Sequence, residues 1–418
     1  MTMSPFAGEG MRKRHVLKAI AVPSQNLPKT PRHGSLRSPI KRQRRNAVRR
    51  NIFDVEQQED SKDSEDIENV NEKEENSEEL SECLNIINSY IKSTVTVPDN
   101  STVINLDPTG HLHHEDKGVQ VSEPFISMIN AEKKLNTMTG LQSFKMLDSL
   151  VECAGYFKPD EDLKYCKLNM RERIILTFMK LKQNVSFLML SYLFGNITGT
   201  SCKTIFIDTI IILSRIFSVT IPWPSRTATR NLLPLCFQDF KNVRIVLDCT
   251  EITAQRPKCL QCRIKIYSQY KSNLTIKFMT GVSPDGQITY VSKAYGGRAS
   301  DKAIFGQSKL VEKLEPNIDE VMVDKGFLID QVCAAHKITV VRPPHLRKAP
   351  QFSKEDAITT KNIAKARVHV ERANQRIKIF KIFSGKIDWT LLPVIEDCFR
   401  VVCGVVNIST PILSDKRF

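Results

Sequence analysis

The sequence has no uninterrupted run of apolar residues long enough to cross a lipid bilayer. A membrane-spanning helix needs about 20 consecutive, mainly apolar residues. The most apolar stretch here, TIFIDTIIILSRIF, is interrupted by Asp208 and Arg215 and is shorter than that. The N-terminus also lacks the apolar segment of a secretory signal peptide. We therefore expect a soluble, intracellular protein.

The cysteines do not form the short, dense framework that cross-links small secreted domains. The 11 cysteines are scattered, which is typical of a protein from a reducing compartment. Cys259 and Cys262, in KCLQC, are the one closely spaced pair. A structural zinc site needs four ligands, and no second CxxC or histidine pair follows at a suitable spacing. An ordinary loop is therefore favoured over half of a zinc site.

Acidic residues are almost absent from the N-terminus and concentrated just after it. Met1–Arg50 holds 13 basic residues and one acid, whereas Asn51–Cys83 holds 14 acids and two lysines. These two charges cancel, so Leu84–Phe418 carries the net charge of +15. A folded region that basic indicates a polyanionic partner, most simply nucleic acid. A cation-rich surface that maintains solubility is the alternative.

Residues 1–100 lack the periodic apolar residues that would offset the entropy lost on ordering the chain. They predict a disordered tail, first basic and then acidic. The tail contains KRQRR, whose basic residues predict a nuclear localisation signal and hence a nuclear protein; they are Lys41, Arg42, Arg44 and Arg45. Non-specific phosphate contact is the other interpretation, and such clusters also arise by chance in basic tails.

Residues 123–222 have a helical pattern. FISMINAEKKLNTMTGLQSFKMLDSLVECAG predicts two short helices around the TGL turn, and three further helices follow in RERIILTFMKLKQNV, SFLMLSYLFG and NITGTSCKTIFIDTII. Gly195 suits the end of the middle one, and the Thr and Ser residues after it can cap the next helix. This is helix-turn-helix spacing. A plain helical bundle packed on the next domain fits the pattern equally well.

The period changes after the two prolines of IPWPSRTATR, and residues 243–413 predict a separate α/β domain. VRIVLDCTEI reads as a buried strand, and LTIKFMTGVSPDGQITYVSKAYG reads as a hairpin with its turn at SPDG. Strands are then predicted at DEVMVDKGF and KITVVRPP, and helices at DKAIFGQSKLVEKLE, at LIDQVCAAHK and from about Thr360. Antiparallel strands followed by alternating strands and helices indicate a mixed sheet flanked by helices.

Two acids follow predicted strands: Asp248 ends VRIVLD, and Asp324 ends EVMVD. If these strands are adjacent, both carboxylates lie at one edge of the sheet, where open α/β sheets bind ligands. Carboxylates that close repel each other unless a cation lies between them. Oxygen ligands without a nearby His–Cys cluster favour Mg²⁺ or Mn²⁺ over zinc. Each acid considered alone fits a capping or turn residue better.

A third acid stands out because it is isolated among cations. Ala357–Ile387 holds eight Lys or Arg and one acid, Glu371. Glu371 borders an apolar helical stripe, from which it can reach the metal when the helix packs on the sheet; the stripe comprises Ile363, Ala366, Val370, Ala373, Ile377 and Phe380. The neighbouring cations are predicted to contact DNA phosphates; they are Arg367, Arg372, Arg376 and Lys378.

The order of four segments resembles the motifs of Harbinger-type DDE-superfamily transposases over about Glu123–Leu413. The segments are VLDCTEI, YSQYKSNLTIKFMTGVSPDGQITYVSKAYGGRASDK, MVDKGF and IAKARVHVERANQRIKIFKIF. The resemblance implies an RNase H-like nuclease fold behind a helix-turn-helix, with a catalytic, metal-binding triad at Asp248, Asp324 and Glu371. It also places Asp301 of GGRASDK at a position often counted as a metal ligand. Capping of the DKAIF helix is an equal alternative for Asp301.

The sequence departs from that family in three places. Cys249 replaces the usual glycine after the first aspartate, and Glu371 lies 47 positions after Asp324, where about thirty-five are common. The loop HLRKAPQFSKED accounts for the longer interval. The first hundred residues also carry no zinc-finger signature. Recognition of terminal repeats would then fall to the helix-turn-helix or to a host or element-encoded partner protein.

The resemblance implies a DNA transposase, or an endonuclease derived from one. Such a protein binds double-stranded DNA at terminal inverted repeats, cleaves it with Mg²⁺ or Mn²⁺, and joins the 3′-hydroxyl to target DNA. We also expect a homo-oligomer on DNA. A domesticated nuclear DNA-binding protein without nuclease activity is the main alternative, because the basic features would be the same. A generic basic scaffold explains the charge but not the three acids.

Overall fold

The computed structural model describes residues 80–91, 125–157, 167–195, 197–345 and 351–410. The first half of the described chain is helical. After α1 at residues 80–91, its helices are α2 Glu132–Thr139, α3 Phe144–Phe157, α4 Met170–Gln183, α5 Phe187–Phe194, α6 Gly199–Ser218 and α7 Arg226–Asn231. The helices begin where the sequence provides caps. Asn169 and Glu172 form a capping box at α4, and the Thr198 hydroxyl accepts from the Ser201 N–H at α6.

The structure differs from the predicted tail at its C-terminal end. Residues 80–91 form α1, and the side chains of Cys83, Ile87 and Tyr90 are buried in the main core. These residues are four and three positions apart, so they lie on one face of the helix. Burying that apolar face stabilises the folded state. The rest of the predicted tail and the KRQRR segment lie outside the described residues.

The second half contains a mixed sheet in the order β2-β3-β1-β6-β7, with β4 and β5 also paired to β3. Its strands are β1 Val243–Thr253, β2 Tyr267–Ser268, β3 Asn273–Val282, β4 Ile288–Val291, β5 Tyr295–Gly296, β6 Glu320–Met322 and β7 Thr339–Val341. β3 is antiparallel to β1, whereas β6 and β7 run parallel to it. The α/β class and the mixed sheet are confirmed.

Helices flank this sheet; they are α8 Leu260–Ile266, α9 Asp301–Gln307, α10 Asp330–Ala335, α11 Lys354–Lys378, α12 Lys381–Ser384 and α13 Ile395–Ile408. α11 begins six residues before the expected Thr360, because the Ser353 hydroxyl accepts from the Asp356 N–H and caps it. The KCLQC segment is not a loop: Cys259 caps α8, and its Sγ lies 3.5 Å from the Cys262 N–H nitrogen.

The sheet divides the interior into two apolar clusters. Along β1 the side chains alternate, so Val246 and Ile252 belong to the larger cluster and Ile245 and Leu247 to the smaller one. The larger cluster lies on the α11 and α13 side and continues into the helical half, where Phe178 packs edge-on against Phe217. The helical region thus shares one continuous core with the sheet.

Among the described residues no single helix is both long and apolar enough to cross a membrane. Helices α5 and α6 reach that length and composition only as a pair, and the pair is bent by 97°.

Candidate functional site

Asp248 and Asp324 lie on adjacent parallel strands. β1 and β6 pair in a register that sets Val246 beside Met322. Asp248 lies two positions after Val246, and Asp324 lies two positions after Met322. Both carboxylates therefore lie at the same level, just past the carboxyl end of β6. β1 itself continues from Asp248 to Thr253 along β3, so Asp248 does not end its strand as predicted. The adjacency on which the sequence argument depended is present in the structure.

The Asp248 carboxylate is fixed by an amide from α11. Asn374 Nδ2 donates to Asp248 Oδ2 over 2.8 Å, while Asn374 Oδ1 accepts from the Thr280 hydroxyl over 3.0 Å. Thr280 is the β3 residue directly opposite Asp248. Because Asn374 is buried, these hydrogen bonds connect β1, β3 and α11 where water is scarce.

Arg367 brings the other two carboxylates together. Its Nη1 lies 3.2 Å from Asp324 Oδ1 and 3.8 Å from Glu371 Oε1. The guanidinium is 12% exposed, whereas the Asp324 and Glu371 side chains are 56% and 60% exposed. A largely buried cation therefore faces two acids that remain accessible from solvent.

The electrostatics of Asp248 reflect both its burial and this cation. Burial raises the pKa of the Asp248 carboxyl above its ordinary value, and the nearby Asp324 charge acts in the same direction. The Arg367 charge and the Asn374 hydrogen bond oppose that rise. Asp248, Asp324 and Arg367 are thus close enough to influence one another, as a shared site requires.

The three acids have donor chemistry suited to a hard divalent cation, since carboxylate oxygens are the ligands that Mg²⁺ and Mn²⁺ prefer. Asp324 and Glu371 already share a positive charge, because the Arg367 guanidinium forms ion pairs with both. With the side chains in this arrangement, no group of three or more His, Cys, Asp or Glu in the described ranges converges closely enough to hold a metal ion. The residues fit such an ion by their chemistry, and ligation would require Asp324 and Glu371 to turn from Arg367.

Asp301, the other predicted ligand, lies in a separate cluster. Its Oδ1 is 3.1 Å from Lys277 Nζ, which is also 3.4 Å from Glu251 Oε1. Glu251 is three residues from Asp248 along β1, so the two side chains point to opposite faces of the sheet. Burial lowers the pKa of Lys277, but Asp301 and Glu251 outweigh that effect and leave it raised. The ligand role of Asp301 stays a prediction, and the helix cap at this position is Ser300.

The predicted DNA-contacting residues of α11 differ in exposure. Arg367 faces the acids, and Arg376 donates a hydrogen bond to the Thr410 carbonyl. Arg372 is half-buried, and Lys378 is exposed. The predicted apolar stripe of α11, from Ile363 to Phe380, is buried as expected. DNA contact by these cations stays a prediction.

Sequence reasoning missed two contributions to the site. It assigned Arg367 to phosphate contact and did not consider Asn374. The signal was present, because residues 367, 371 and 374 are four and three positions apart and so share one face of α11. A face that carries a cation, an acid and an amide toward the two acids of β1 and the β6 end indicates a polar site.

Two comparisons with known proteins find related sequences. Residues 247–407 match the family model described as DDE superfamily endonuclease. The chain is also similar to the probable transposase for insertion sequence element IS702 from Microchaete diplosiphon. The two are 26% identical over 262 residues, which are 61% of this chain and 86% of the relative. No solved structure gives a significant match. These findings support a DDE superfamily endonuclease domain and a distant transposase homologue.

Proposed function

We propose that this protein is a Harbinger-type DNA transposase, or an endonuclease derived from one, that cleaves DNA and transfers the 3′-hydroxyl strand. The observation that carries the proposal is the meeting of Asp248 and Asp324 at one sheet edge, with Glu371 joined to Asp324 through Arg367. The endonuclease family match and the transposase relative support the same chemistry.

The proposed fold of the catalytic part is RNase H-like. Its support is a mixed sheet in which an antiparallel hairpin adjoins strands parallel to β1, with two acids level with the carboxyl end of β6 and a third on a long helix. The carboxyl edge is where α/β sheets place their ligand sites.

Asp248, Asp324 and Glu371 would hold the divalent cation, Mg²⁺ or Mn²⁺. When bound there, such an ion supplies activation of a water or 3′-hydroxyl and charge stabilisation at the phosphate. The protein's own contribution is positional. Asn374 fixes the Asp248 carboxylate by its hydrogen bond, and Arg367 neutralises Asp324 and Glu371 in the arrangement described above. Asp301 remains a proposed further ligand, with its ion pair to Lys277 as the competing role.

Recognition of terminal inverted repeats is proposed for α5 and α6. Helix-turn-helix pairs cross at about 90–120°, and α5 and α6 are bent by 97°. The exposed residues of α6 include Thr200, Ser201 and Thr204 near its N-terminus, where hydroxyls can donate to phosphate. The opposite face of α6 packs on α13, where Arg400 Nη1 donates to the Ser214 hydroxyl over 2.7 Å. This second contact also fits the alternative of a helical bundle that supports the nuclease.

The remaining proposals concern the cell and the assembly. The basic residues of Lys41–Arg45 support entry into the nucleus, where DNA is the substrate. Cleavage of two transposon ends followed by joining to one target supports a homo-oligomer on DNA. A host or element-encoded DNA-binding protein is proposed as a further partner, because the first hundred residues carry no zinc-finger signature.

The second candidate is a domesticated DNA-binding protein that no longer cuts. One observation favours it: the Arg367 guanidinium already provides Asp324 and Glu371 with a cation from the protein itself. The basic charge of Leu84–Phe418 would support DNA binding in either case.

Strand-cleavage mapping distinguishes the two candidates. The purified protein is incubated with labelled DNA carrying candidate repeat ends and either Mg²⁺, Mn²⁺ or EDTA, and any nicks are mapped at nucleotide resolution. We expect nicks with the metals, and none from Asp248→Asn, Asp324→Asn or Glu371→Gln, all of which should still bind DNA. Asp148→Asn is the matched control, because Asp148 pairs with Arg171 between α3 and α4 in the helical half. Cleavage retained by Glu371→Gln contradicts the assignment, and wild-type binding without cleavage favours the domesticated protein.

A further inference from the structure

The segment from the end of β1 to the hairpin turn at SPDG has an unusual composition. Ile252–Pro284 contains six Lys or Arg residues and no acid. Two tyrosines, Tyr267 and Tyr270, lie among these cations, and their side chains are 43% and 84% exposed. One of the cations, Lys277, is buried and pairs with Glu251 and Asp301, which leaves five near the surface. Exposed aromatic rings among cations are typical of surfaces that bind single-stranded nucleic acid.

This segment encloses an open cavity of about 590 Å³. That volume lies within the range of about 300–1,000 Å³ for small-ligand sites. Its wall carries three guanidinium groups, one phenol ring and two amides, from Arg256, Arg263, Arg298, Tyr267, Gln269 and Asn273. Ile264 and Leu274 add an apolar surface. None of the described residues that line the cavity is acidic, so its positive charge is unopposed there.

The cavity is a built feature rather than a gap between mobile side chains. α8 lies directly against β5, because a Cβ on Gly296 would be 2.3 Å from the Lys265 carbonyl oxygen. A Cβ on Gly297 would similarly be 2.0 Å from the Thr275 hydroxyl oxygen. Arg263 is held in place by its own loop, since its Nε donates to the Pro257 carbonyl over 2.7 Å. Arg256 and Arg298 are exposed at the rim.

The cavity lies beyond the acids on the same strand. β1 continues from Asp248 to Thr253 while paired with β3, and Arg256 follows three residues later. Five residues of strand extend about 17 Å, which equals about five nucleotides of a DNA strand at 3.4 Å each. A DNA strand whose phosphate lies at the acids can therefore reach the cavity.

We propose that this cavity binds one unpaired nucleotide of the DNA substrate, about five or more positions from the phosphate that is cleaved. The proposal rests on the proposed DNA function. Arg256 and Arg298 contact phosphate, and the base stacks on Tyr267 over the apolar surface. A concave pocket of this size does not admit a base pair that remains stacked in a duplex, so the base must leave the helix. An inorganic anion alone would leave the phenol ring and the apolar wall without a ligand group.

The test compares three fluorescein-labelled DNA probes of identical flanking sequence by anisotropy. One is a fully paired 30-bp duplex, one has a single unpaired thymine at its centre, and one is the corresponding single strand. The variants are Tyr267→Ala and the double exchange Arg256→Gln/Arg298→Gln. The matched control is Lys241→Gln/Lys337→Asn, which removes the same charge from exposed positions before β1 and β7, at the opposite end of the sheet. Circular dichroism verifies that each variant is folded.

We expect the wild-type protein to bind the duplex with the unpaired thymine at least about five-fold more tightly than the paired duplex, since base stacking is worth about 1–3 kcal/mol. Both pocket variants should lose that preference, and the control should keep it. Should Tyr267→Ala fail to fold, the double exchange Arg256→Gln/Arg298→Gln at exposed positions still tests the proposal. Equal losses for paired and unpaired probes overturn the proposal in favour of plain backbone contact, and unchanged binding by the variants also overturns it. If the wild-type protein binds none of the probes, the proposed DNA function itself fails.

Discussion

Arg367 Nη1 lies 3.2 Å from Asp324 Oδ1, although the two residues are 43 positions apart in the chain. The same nitrogen is 3.8 Å from Glu371 Oε1, one helical turn further along α11. A cation of the protein therefore holds together two of the three acids proposed to bind metal. Any ion that enters the site competes with this guanidinium for their oxygens.

Replacing Arg367 by Gln should make the stability of the protein depend more strongly on divalent metal. Without the guanidinium, Asp324 and Glu371 repel each other. Because these two carboxylates are largely exposed, we expect the free energy of unfolding in EDTA to fall by about 1 kcal/mol. Mn²⁺ should restore the melting temperature and raise it more than it does for the wild type. Arg171→Gln, which breaks the ion pair with Asp148 between α3 and α4, is the control and should respond to Mn²⁺ as the wild type does. An identical Mn²⁺ response in Arg367→Gln and the wild type contradicts the competition.

Replacing Asn374 by Ala should reduce cleavage as well as stability. The change leaves Asp248 and Thr280 without their shared partner, at a cost of about 1–3 kcal/mol in the free energy of unfolding. Misplacing the Asp248 carboxylate should slow cleavage about ten- to hundred-fold. Asn407→Ala is the matched control, since Asn407 also makes hydrogen bonds to two segments, at Thr220 and Ile288, away from the acids. Urea unfolding and cleavage rates are measured for both variants. Equal cleavage rates in Asn374→Ala and Asn407→Ala would contradict the role of Asn374 in positioning Asp248.

Replacing Asp301 by Asn separates its two possible roles. Asp301 pairs with Lys277 on the face of the sheet opposite Asp248, so we expect a loss of about 1 kcal/mol that is the same in EDTA and in Mn²⁺. If Asp301 acts only through this ion pair, calorimetric titration with Mn²⁺ should give the wild-type affinity. A fall in Mn²⁺ affinity comparable to that of Asp248→Asn would instead assign Asp301 to the metal.

Gly404 should not tolerate even a methyl group. A Cβ at this position of α13 would be 2.5 Å from Phe217 Cδ1 on α6, so Gly404→Ala should cost about 1–3 kcal/mol by overpacking. Gly155 of α3 is the contrasting site, because a Cβ there meets nothing within 4 Å. Gly155→Ala should stabilise the protein by about 0.5–1 kcal/mol through helix propensity. Chemical denaturation of both variants checks the pair, and the same sign of change in both contradicts the close contact of α6 and α13.

Titration of Asp397 should lower the stability of the protein as the pH rises above 3.8. Burial raises the pKa of this carboxyl above its ordinary value of 3.8, although Ser214 and Arg400 oppose the rise. The native state therefore binds the proton more tightly than the unfolded state. Stability falls as the pH rises from 3.8 through the raised pKa and is then constant. Asp397→Asn cannot titrate, so the stability of the wild type relative to this variant should fall by up to about 1.4 kcal/mol per pH unit in that window. A pH-independent difference between the two proteins in urea unfolding contradicts the buried carboxyl.

Much of the fold followed from local patterns. The apolar run in VRIVLD, the turn at SPDG and the three- and four-residue spacing along α11 identify strands, a hairpin and a buried helical face, because each depends on neighbouring residues only. Helix α1 was missed because its short apolar face is stable only when it packs on the core. The predicted helix after Asp301 instead ends at Gln307 and is followed by a separate 3₁₀ turn at Leu310–Lys313.

The sequence by itself determined the mixed α/β architecture, the basic character of the chain and the candidate acids. Only the tertiary structure decided which groups meet. It joined Asp248 to Asn374 across 126 positions, paired Arg367 with Asp324, and placed Asp301 beside Lys277 on the other face. The physical reason is that hydrophobic periodicity sets which face of an element is buried, whereas ion pairs and hydrogen bonds between distant segments depend on strand order and register.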